Sequence, residues 1–378
     1  MGESRLKAKV GRTLADDTDR AADEILSAVR QREMAVVLFF CSPKYDRKRL
    51  AERLSASLFC PVLGCTSAGE ISPEGYQKGG MVAASLSSLE LKVHVRRLSP
   101  LCRVDGATCR GLAEDLRKKL VLSRRFDRSR MFGLVLIDGL SRREDEVIAA
   151  LAPSFEGVPI FGGSAGDDLA FRETQVYAEG KFLPDSAAFA LFETTLPFDV
   201  FKTQHFVPTG TKVVVTGAEP ERRIINEING EPAAEEYARS LGLGLGALDS
   251  AVFSANPLMI RIGGDYYVRS IQKVTAERGL SLYSSIEEGL VLTIGKGADI
   301  ASDLQEKIAA VRKVPSANDF GIFCDCILRR QELADRGLLS GFHNHFGDLK
   351  FVGFSTYGEQ CDGIHVNQTL TGVIIHGG

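Results

Sequence analysis

One short motif occurs three times in this chain, and it limits the folds that the chain can adopt. Each copy combines a glycine, a Ser or Thr, a second glycine and an acidic residue, at 64–70, 162–167 and 353–359. A short apolar run precedes each copy, and a helix-like stretch joins that run to another apolar run upstream. The sequence therefore predicts an α/β fold with three strand–helix–strand modules, at 34–72, 131–168 and 320–360.

The glycine loops of these modules are candidate ligand-binding segments. Ligands of open α/β sheets usually bind at the carboxyl ends of parallel strands, where small residues let the backbone approach closely. Carboxylates and hydroxyls that converge there would suit an ammonium group or a hydrated cation better than a phosphate. Tight packing alone also explains glycines at strand ends. The candidate ligand-binding residues are Ser67, Glu70, Ser164, Asp167, Asp168, Thr356, Tyr357 and Glu359.

The remaining segments predict further elements around the modules. Residues 1–16 are polar and predicted to be loose, and a helix follows within residues 17–30. The runs 81–86 and 89–98 favour a β-hairpin with Ser87 and Ser88 at its turn. After Pro197 the chain is rich in short β-type runs, which predicts an α+β unit within the C-terminal half.

Composition narrows the classes of partner. The net charge is −3, the pI is about 6.1 and no basic stripe is present, which argues against a nucleic-acid partner. The chain has no signal-peptide core and no apolar span of membrane length, so we expect a cytoplasmic protein without a membrane helix. Eight cysteines without a Cys-x-x-Cys pair do not form a disulfide scaffold or a zinc site. Cys324 and Cys326 would share one face of a strand, which leaves a redox or metal role open.

Together these motifs identify a family. The runs 38–46 and 64–71, with 138–141 and 162–168, resemble the N-terminal FIST domain of bacterial signal-input proteins. The runs 227–233 and 353–360 are similar to the start and the end of the FIST C-terminal domain. The resemblance implies a lead with a helix at 1–33, a FIST N-terminal domain at 34–220 and a FIST C-terminal domain at 221–378.

Four further runs resemble the nitric-oxide-sensing NosP type of FIST protein: 203–209, 265–271, 325–330 and 365–369. That resemblance implies a haem-binding sensor for the gas nitric oxide. Its output would pass to a separate histidine kinase, or to a regulator of a cyclic-di-GMP or biofilm pathway. A homo-oligomer is compatible with it.

A haem sensor needs an axial nitrogen, an apolar slot and cations for the propionates. His205, flanked by apolar residues, is the first candidate ligand of the haem iron, and His365 is the second. Tyr266, Tyr267 and Arg269 are the candidate pocket partners. No Cys-x-x-Cys-His site exists, so we expect a non-covalent haem b. A structural role is an equally good interpretation of either histidine.

Two other functions are compatible with the sequence. A FIST sensor could take a small polar ligand such as an amino acid, bound by the glycine loops. An enzyme could use Cys65 as a nucleophile, although Gly64 to Gly69 does not match Gly-x-Ser-x-Gly and no His or Asp partner is placed by the sequence.

Overall fold

The computed structural model describes residues 5–378 and divides them into two compact units. Unit 1 comprises residues up to 203, 304–365 and 370–378, and unit 2 comprises 204–303 and 366–369. Both units are discontinuous in sequence. These compact units are defined by contacts in space and do not coincide with the predicted sequence domains at 34–220 and 221–378. The sequence domains therefore stay a prediction. No helix within residues 5–378 is long and apolar enough to cross a membrane.

The α-helices are α1 (Thr18–Val29), α2 (Arg47–Ser57), α3 (Gly106–Arg117), α4 (Glu144–Leu151), α5 (Ala233–Ser240), α6 (Ser250–Ala255), α7 (Ile300–Val311) and α8 (Ile327–Asp335). The first thirteen strands are β1 (Lys7–Thr13), β2 (Met34–Cys41), β3 (Val62–Thr66), β4 (Glu70–Ser72), β5 (Gly75–Gln77), β6 (Met81–Ser87), β7 (Leu91–Leu98), β8 (Met131–Ile137), β9 (Ile160–Ser164), β10 (Val176–Ala178), β11 (Lys181–Leu183), β12 (Ala187–Thr194) and β13 (Phe198–Thr203). The others are β14 (Phe206–Glu219), β15 (Ile224–Ile228), β16 (Glu231–Pro232), β17 (Leu258–Ile262), β18 (Asp265–Arg269), β19 (Ile271–Val274), β20 (Leu280–Leu282), β21 (Val291–Gly297), β22 (Phe320–Cys326), β23 (Lys350–Thr356), β24 (Glu359–Cys361), β25 (Ile364–Val366) and β26 (Leu370–Ile375).

The three predicted modules are confirmed as parallel strand pairs, each with a helix between its strands. They are β2–α2–β3, β8–α4–β9 and β22–α8–β23. Each pair is the centre of its own six-stranded sheet in unit 1. The predicted α/β class and the β-rich unit in the C-terminal half are likewise confirmed.

Each module belongs to a longer repeat that exchanges a hairpin with a neighbour. Repeat 1 spans residues 7–87, repeat 2 spans 91–194 and repeat 3 spans 198–375 with 204–303 inserted. The hairpin β4–β5 of repeat 1 pairs with β23 of repeat 3, and β10–β11 of repeat 2 pairs with β3 of repeat 1. The hairpin β24–β25 of repeat 3 pairs with β9 of repeat 2, which closes the cycle. Unit 1 is thus a ring of three interlocked repeats.

One apolar core joins the three sheets of unit 1. Alternate residues of β2 face opposite sides, so Leu38 and Phe40 enter this core while Phe39 packs under the helices α1 and α2. Phe40 stacks on Phe354 of repeat 3, with ring centroids 4.3 Å apart. Because both faces of the central strands are buried, these strands are continuous apolar runs in the sequence.

Short helices cover the outer faces of the sheets, and aspartates fix where several of them begin. The N-cap carboxylates of Asp17, Asp46 and Asp105 each accept a hydrogen bond from a backbone N–H in the first turn of α1, α2 and α3. The buried positions Ala21, Ala22 and Ile25 then lie on one side of α1.

Unit 2 is built around an eight-stranded antiparallel sheet in the order β18–β17–β21–β14–β15–β20–β19, with β16 on β15. The helices α5 and α6 supply Tyr237 and Phe253 to its core. The segment 366–369 also belongs to this unit, where Ser270 Oγ donates to Gln368 Oε1 at 2.7 Å.

Two local predictions are wrong. The runs 81–86 and 89–98 form no hairpin, because β6 pairs with β1 and β2 whereas β7 pairs with β12 in another sheet. Residues 1–16 are not loose throughout, since β1 pairs with β6 as an edge strand; residues 1–4 lie outside the described residues. An edge strand can be polar on its outer side, which hid β1 from the apolar pattern.

Candidate functional site

The three glycine loops meet in unit 1, and we call their meeting point the junction (residues 64–70, 162–168 and 353–359). The first and third loops exchange two backbone hydrogen bonds, from Ala68 N to Ser355 O at 3.0 Å and from Ser355 N to Gly69 O at 2.7 Å. Gly166 N donates to Thr66 O at 3.0 Å, which ties the second loop to the first.

The second and third loops complete the ring. Ser164 N donates to Gly358 O at 2.8 Å, and Tyr357 N donates to Ser164 O at 3.1 Å. A Cβ on Gly166 would lie 2.6 Å from Ala68 N, so the contact between the loops requires glycine there. The loops therefore bind one another through their main chains.

Equivalent side chains repeat one local hydrogen bond in the first and third loops. Ser67 Oγ donates to Glu70 Oε1 at 2.6 Å, and Thr356 Oγ1 donates to Glu359 Oε1. The acid lies three residues after the hydroxyl in both loops. The motif thus uses its hydroxyl to hold its own carboxylate.

The second loop uses its acids differently. Asp167 accepts hydrogen bonds from the backbone N–H groups of residues 171, 172 and 173, at 2.9, 2.6 and 3.0 Å, and from Tyr357 Oη. Asp168 Oδ2 accepts from Ser42 Oγ at 2.8 Å. The carboxylate of Asp167 therefore holds the connection between β9 and β10, which is the longest of the three equivalent connections.

The structure thus brings the predicted loop residues together, and it buries them. Ser67, Glu70, Ser164, Asp167, Thr356 and Glu359 are each at most 2% exposed. Asp168 and Tyr357 are half-buried. Two cavities of unit 1, one beside residues 43–55 and 175–182 and one beside residues 6–9 and 317–318, are lined by other residues. This arrangement supports a structural role at the junction, and a ligand-binding role there stays a prediction.

Burial makes Glu70 an unusual acid. Removal from water raises the pKa of Glu70 to about 7, although Ser67 and the Gly80 N–H, 3.1 Å from Oε2, stabilise its ionised form. The negative charge of Asp168 contributes to this raised pKa. Glu70 therefore changes its protonation state near neutral pH.

Sequence reasoning missed a buried ion pair beside the junction. Arg329 Nε donates to Asp325 Oδ1 at 2.8 Å, and neither side chain is exposed. Tyr76 Oη donates to the other oxygen of Asp325. Arg330 Nη1 donates to Ala68 O at 2.9 Å, so α8 is bonded to the first glycine loop. The run 325–330 is one of those that resemble the NosP type, but its residue spacing alone does not indicate these contacts.

The first candidate haem ligand lies in unit 2, between β13 and β14. His205 is 2% exposed, and its ring centroid is 4.2 Å from that of Phe206. Phe206 belongs to an apolar cluster with Met259 and Val268, and Tyr266 packs against that cluster. A buried imidazole beside aromatic and apolar side chains is the kind of setting that an axial ligand needs.

The other pocket candidates do not all share that face. Strand alternation on β18 places Tyr266 with Val268, and turns Tyr267 and Arg269 to the opposite side. His365 lies in unit 1, on β25, where its Nδ1 is 3.2 Å from Gln360 Nε2. Gln360 Nε2 also donates to Ser164 Oγ at 2.9 Å, which connects His365 with the second glycine loop.

Six of the eight cysteines are buried in unit 1, whereas Cys60 is partly exposed and Cys102 is exposed. Burial raises the pKa of Cys65 well above its usual value, which disfavours the thiolate that a nucleophile needs. Cys324 and Cys326 are also buried in β22, and burial raises the pKa of Cys324. Among residues 5–378, no group of three or more His, Cys, Asp or Glu side chains is placed to hold a metal ion.

Two family domains match this chain in succession. The FIST N domain matches residues 35–231, and the FIST C domain matches residues 233–362. The chain is also similar to an uncharacterized protein of Methanocaldococcus jannaschii, with 25% identity over 279 residues. That similarity covers 64% of this chain and 53% of the relative, so the chain spans about half the length of the curated relative it matches.

Proposed function

This chain belongs to the FIST family, and from that premise we propose that it is a haem-based nitric-oxide sensor of the NosP type. FIST domains are sensory input domains of signal transduction. In this proposal the output passes to a separate histidine kinase or a regulator of a cyclic-di-GMP pathway. The protein acts there from the cytoplasm, alone or as a homo-oligomer.

The observation that carries the proposal is the setting of His205. Its buried imidazole lies against Phe206 and the apolar cluster that Tyr266 joins, so an axial nitrogen and an apolar wall occur together. Residues of these types suit a haem b, and His205 and Tyr266 would contact it. A bound haem iron would supply the site for nitric oxide. His205 directly precedes β14, and its C=O accepts a hydrogen bond from Ala298 N at 2.7 Å. A movement of the imidazole ring would therefore shift the backbone at this edge of unit 2.

The test is a spectroscopic titration of the purified protein with haemin, followed by reduction and addition of nitric oxide. The wild type should acquire a saturable Soret band that shifts with the gas. His205→Ala should weaken haem binding by more than about tenfold, because the axial bond is lost. Added imidazole should restore the band.

Two variants serve as comparisons. His365→Ala tests the second candidate ligand, and His345→Ala removes a partly exposed histidine outside both candidate settings. Both should keep the wild-type spectrum. Loss of the band in His365→Ala alone would transfer the ligand role to His365, and a wild type without a specific Soret band would refute haem sensing.

A further inference from the structure

A cleft with a volume of about 980 Å³ opens in unit 1 between the start of α2 and the hairpin β10–β11. One wall comes from residues 43–52 of repeat 1, and the other comes from Gly180, Lys181 and Phe182 of repeat 2. The cleft therefore exists only because repeat 2 lends its hairpin to the sheet of repeat 1. Its size is that of a site for a small organic molecule.

The lining of this cleft is positively charged. Four cations, Lys44, Arg47, Lys48 and Lys181, face two carboxylates. Both carboxylates are already engaged, since Asp46 caps α2 by accepting from Arg49 N at 3.0 Å and Glu52 lies 3.7 Å from Arg49. The excess of positive charge favours an anionic ligand.

Two of the four cations are held by acids outside the lining. Lys44 Nζ is 2.7 Å from Asp16, and Arg47 Nη2 is 2.5 Å from Glu173. Lys48 and Lys181 have no ion-pair partner among residues 5–378, and they stand on opposite walls. These two ammonium groups are the charges that a ligand can neutralise.

We propose that this cleft binds a small organic phosphate, with its phosphoryl group between Lys48 and Lys181. Lysine ammonium groups act as point charges that suit a phosphoryl group, whereas the planar fork of Arg47 that would suit a carboxylate is occupied by Glu173. The cleft is larger than a phosphate ion, so the organic part of the ligand contacts Tyr45 and Phe182.

The cleft is connected with the junction. Glu173, the partner of Arg47, is one of the residues whose backbone N–H binds Asp167 of the second glycine loop. The ion pair between Arg47 and Glu173 therefore connects the lining of the cleft to the second glycine loop. The inference does not depend on haem binding, and neither result decides the other.

The experiment is a calorimetric titration of the whole protein with pyrophosphate at low ionic strength. The double variant Lys48→Ala/Lys181→Ala should bind pyrophosphate more weakly by about tenfold or more, because two charge-assisted contacts are lost. The matched control is Lys78→Ala/Lys119→Ala, which removes the same charge from exposed positions elsewhere. It should bind within about twofold of the wild type.

Three outcomes would overturn the proposal. The first is a wild type without saturable pyrophosphate binding, and the second is an equal loss in both double variants, which would show a general charge effect. The third is tighter binding of succinate than of pyrophosphate, which would assign the cleft to a dicarboxylate. Thermal unfolding of each variant checks that the lysine substitutions leave the fold intact, and Lys181→Glu gives an independent variant with the same expected loss.

Discussion

Glu70 shows what the junction does to a single residue. Its carboxyl is fixed by the Ser67 hydroxyl and the Gly80 N–H, yet removal from water dominates and raises its pKa to about 7. An acid whose pKa is raised in the folded state stabilises that state at low pH, and this contribution is lost as the pH rises through the folded pKa. The relevant window runs from the ordinary value of 4.5 to about 7.

We predict that Glu70→Gln changes the pH dependence of stability. Between pH 5 and 8, the free energy of unfolding of the variant relative to wild type should increase by up to about 3 kcal/mol, since one pKa unit corresponds to about 1.4 kcal/mol. Urea unfolding at several pH values measures this difference. Exposed Glu114→Gln is the control, and its profile should run parallel to that of wild type. Parallel profiles for Glu70→Gln would show that Glu70 does not titrate in this window.

At the scale of elements, the glycine loops matter through their main chains. The motif predicts ligand-binding loops, and that role stays a prediction. The structure shows that the loops bond to one another and bury their hydroxyls and acids. The small residues allow a close backbone approach, and a neighbouring loop makes that approach at Gly166. Sequence spacing gives the small residues without telling what comes close to them.

Gly166→Ala tests this contact between loops. The added methyl would meet Ala68 N at 2.6 Å and Ala68 Cβ at 2.8 Å, so the loops must separate. We expect a loss of about 1–3 kcal/mol in the free energy of unfolding. The matched change Gly111→Ala, on α3 where nothing lies within 4 Å, should instead be neutral or stabilise by up to about 1 kcal/mol. Equal effects of the two substitutions would contradict a tight junction.

At the scale of the whole molecule, the hairpin exchange makes the three repeats of unit 1 depend on one another. A fragment of residues 1–196 retains repeats 1 and 2 but lacks β23, the partner of β4, and β24, the partner of β9. It also lacks Phe354, which stacks on Phe40 in the shared core. We predict that this fragment does not unfold cooperatively.

Denaturant titration followed by near-ultraviolet circular dichroism compares the fragment with the full chain. The fragment should give a broad, non-cooperative change, because exposed strand edges and a truncated core cannot offset the loss of chain entropy. A sharp transition at the midpoint of the full chain would mean that repeats 1 and 2 fold without repeat 3.

The sequence by itself determined the strand–helix–strand modules, their glycine loops and the β-rich insertion. Those features depend on apolar periodicity and on turn residues within about 40 positions of each other. Such short-range patterns can be recognised from the sequence alone. Tertiary structure decided which sheet each hairpin joins. It also decided that β6 pairs with β1 and β2 and that β7 pairs with β12, although their spacing predicts a hairpin. The sequences of short strands such as β4, β10 and β24 do not indicate which strand they pair with. Partner choice, the burial of Glu70 and the cleft beside Lys48 and Lys181 all follow from contacts between distant segments, which form only when the three repeats close into one core.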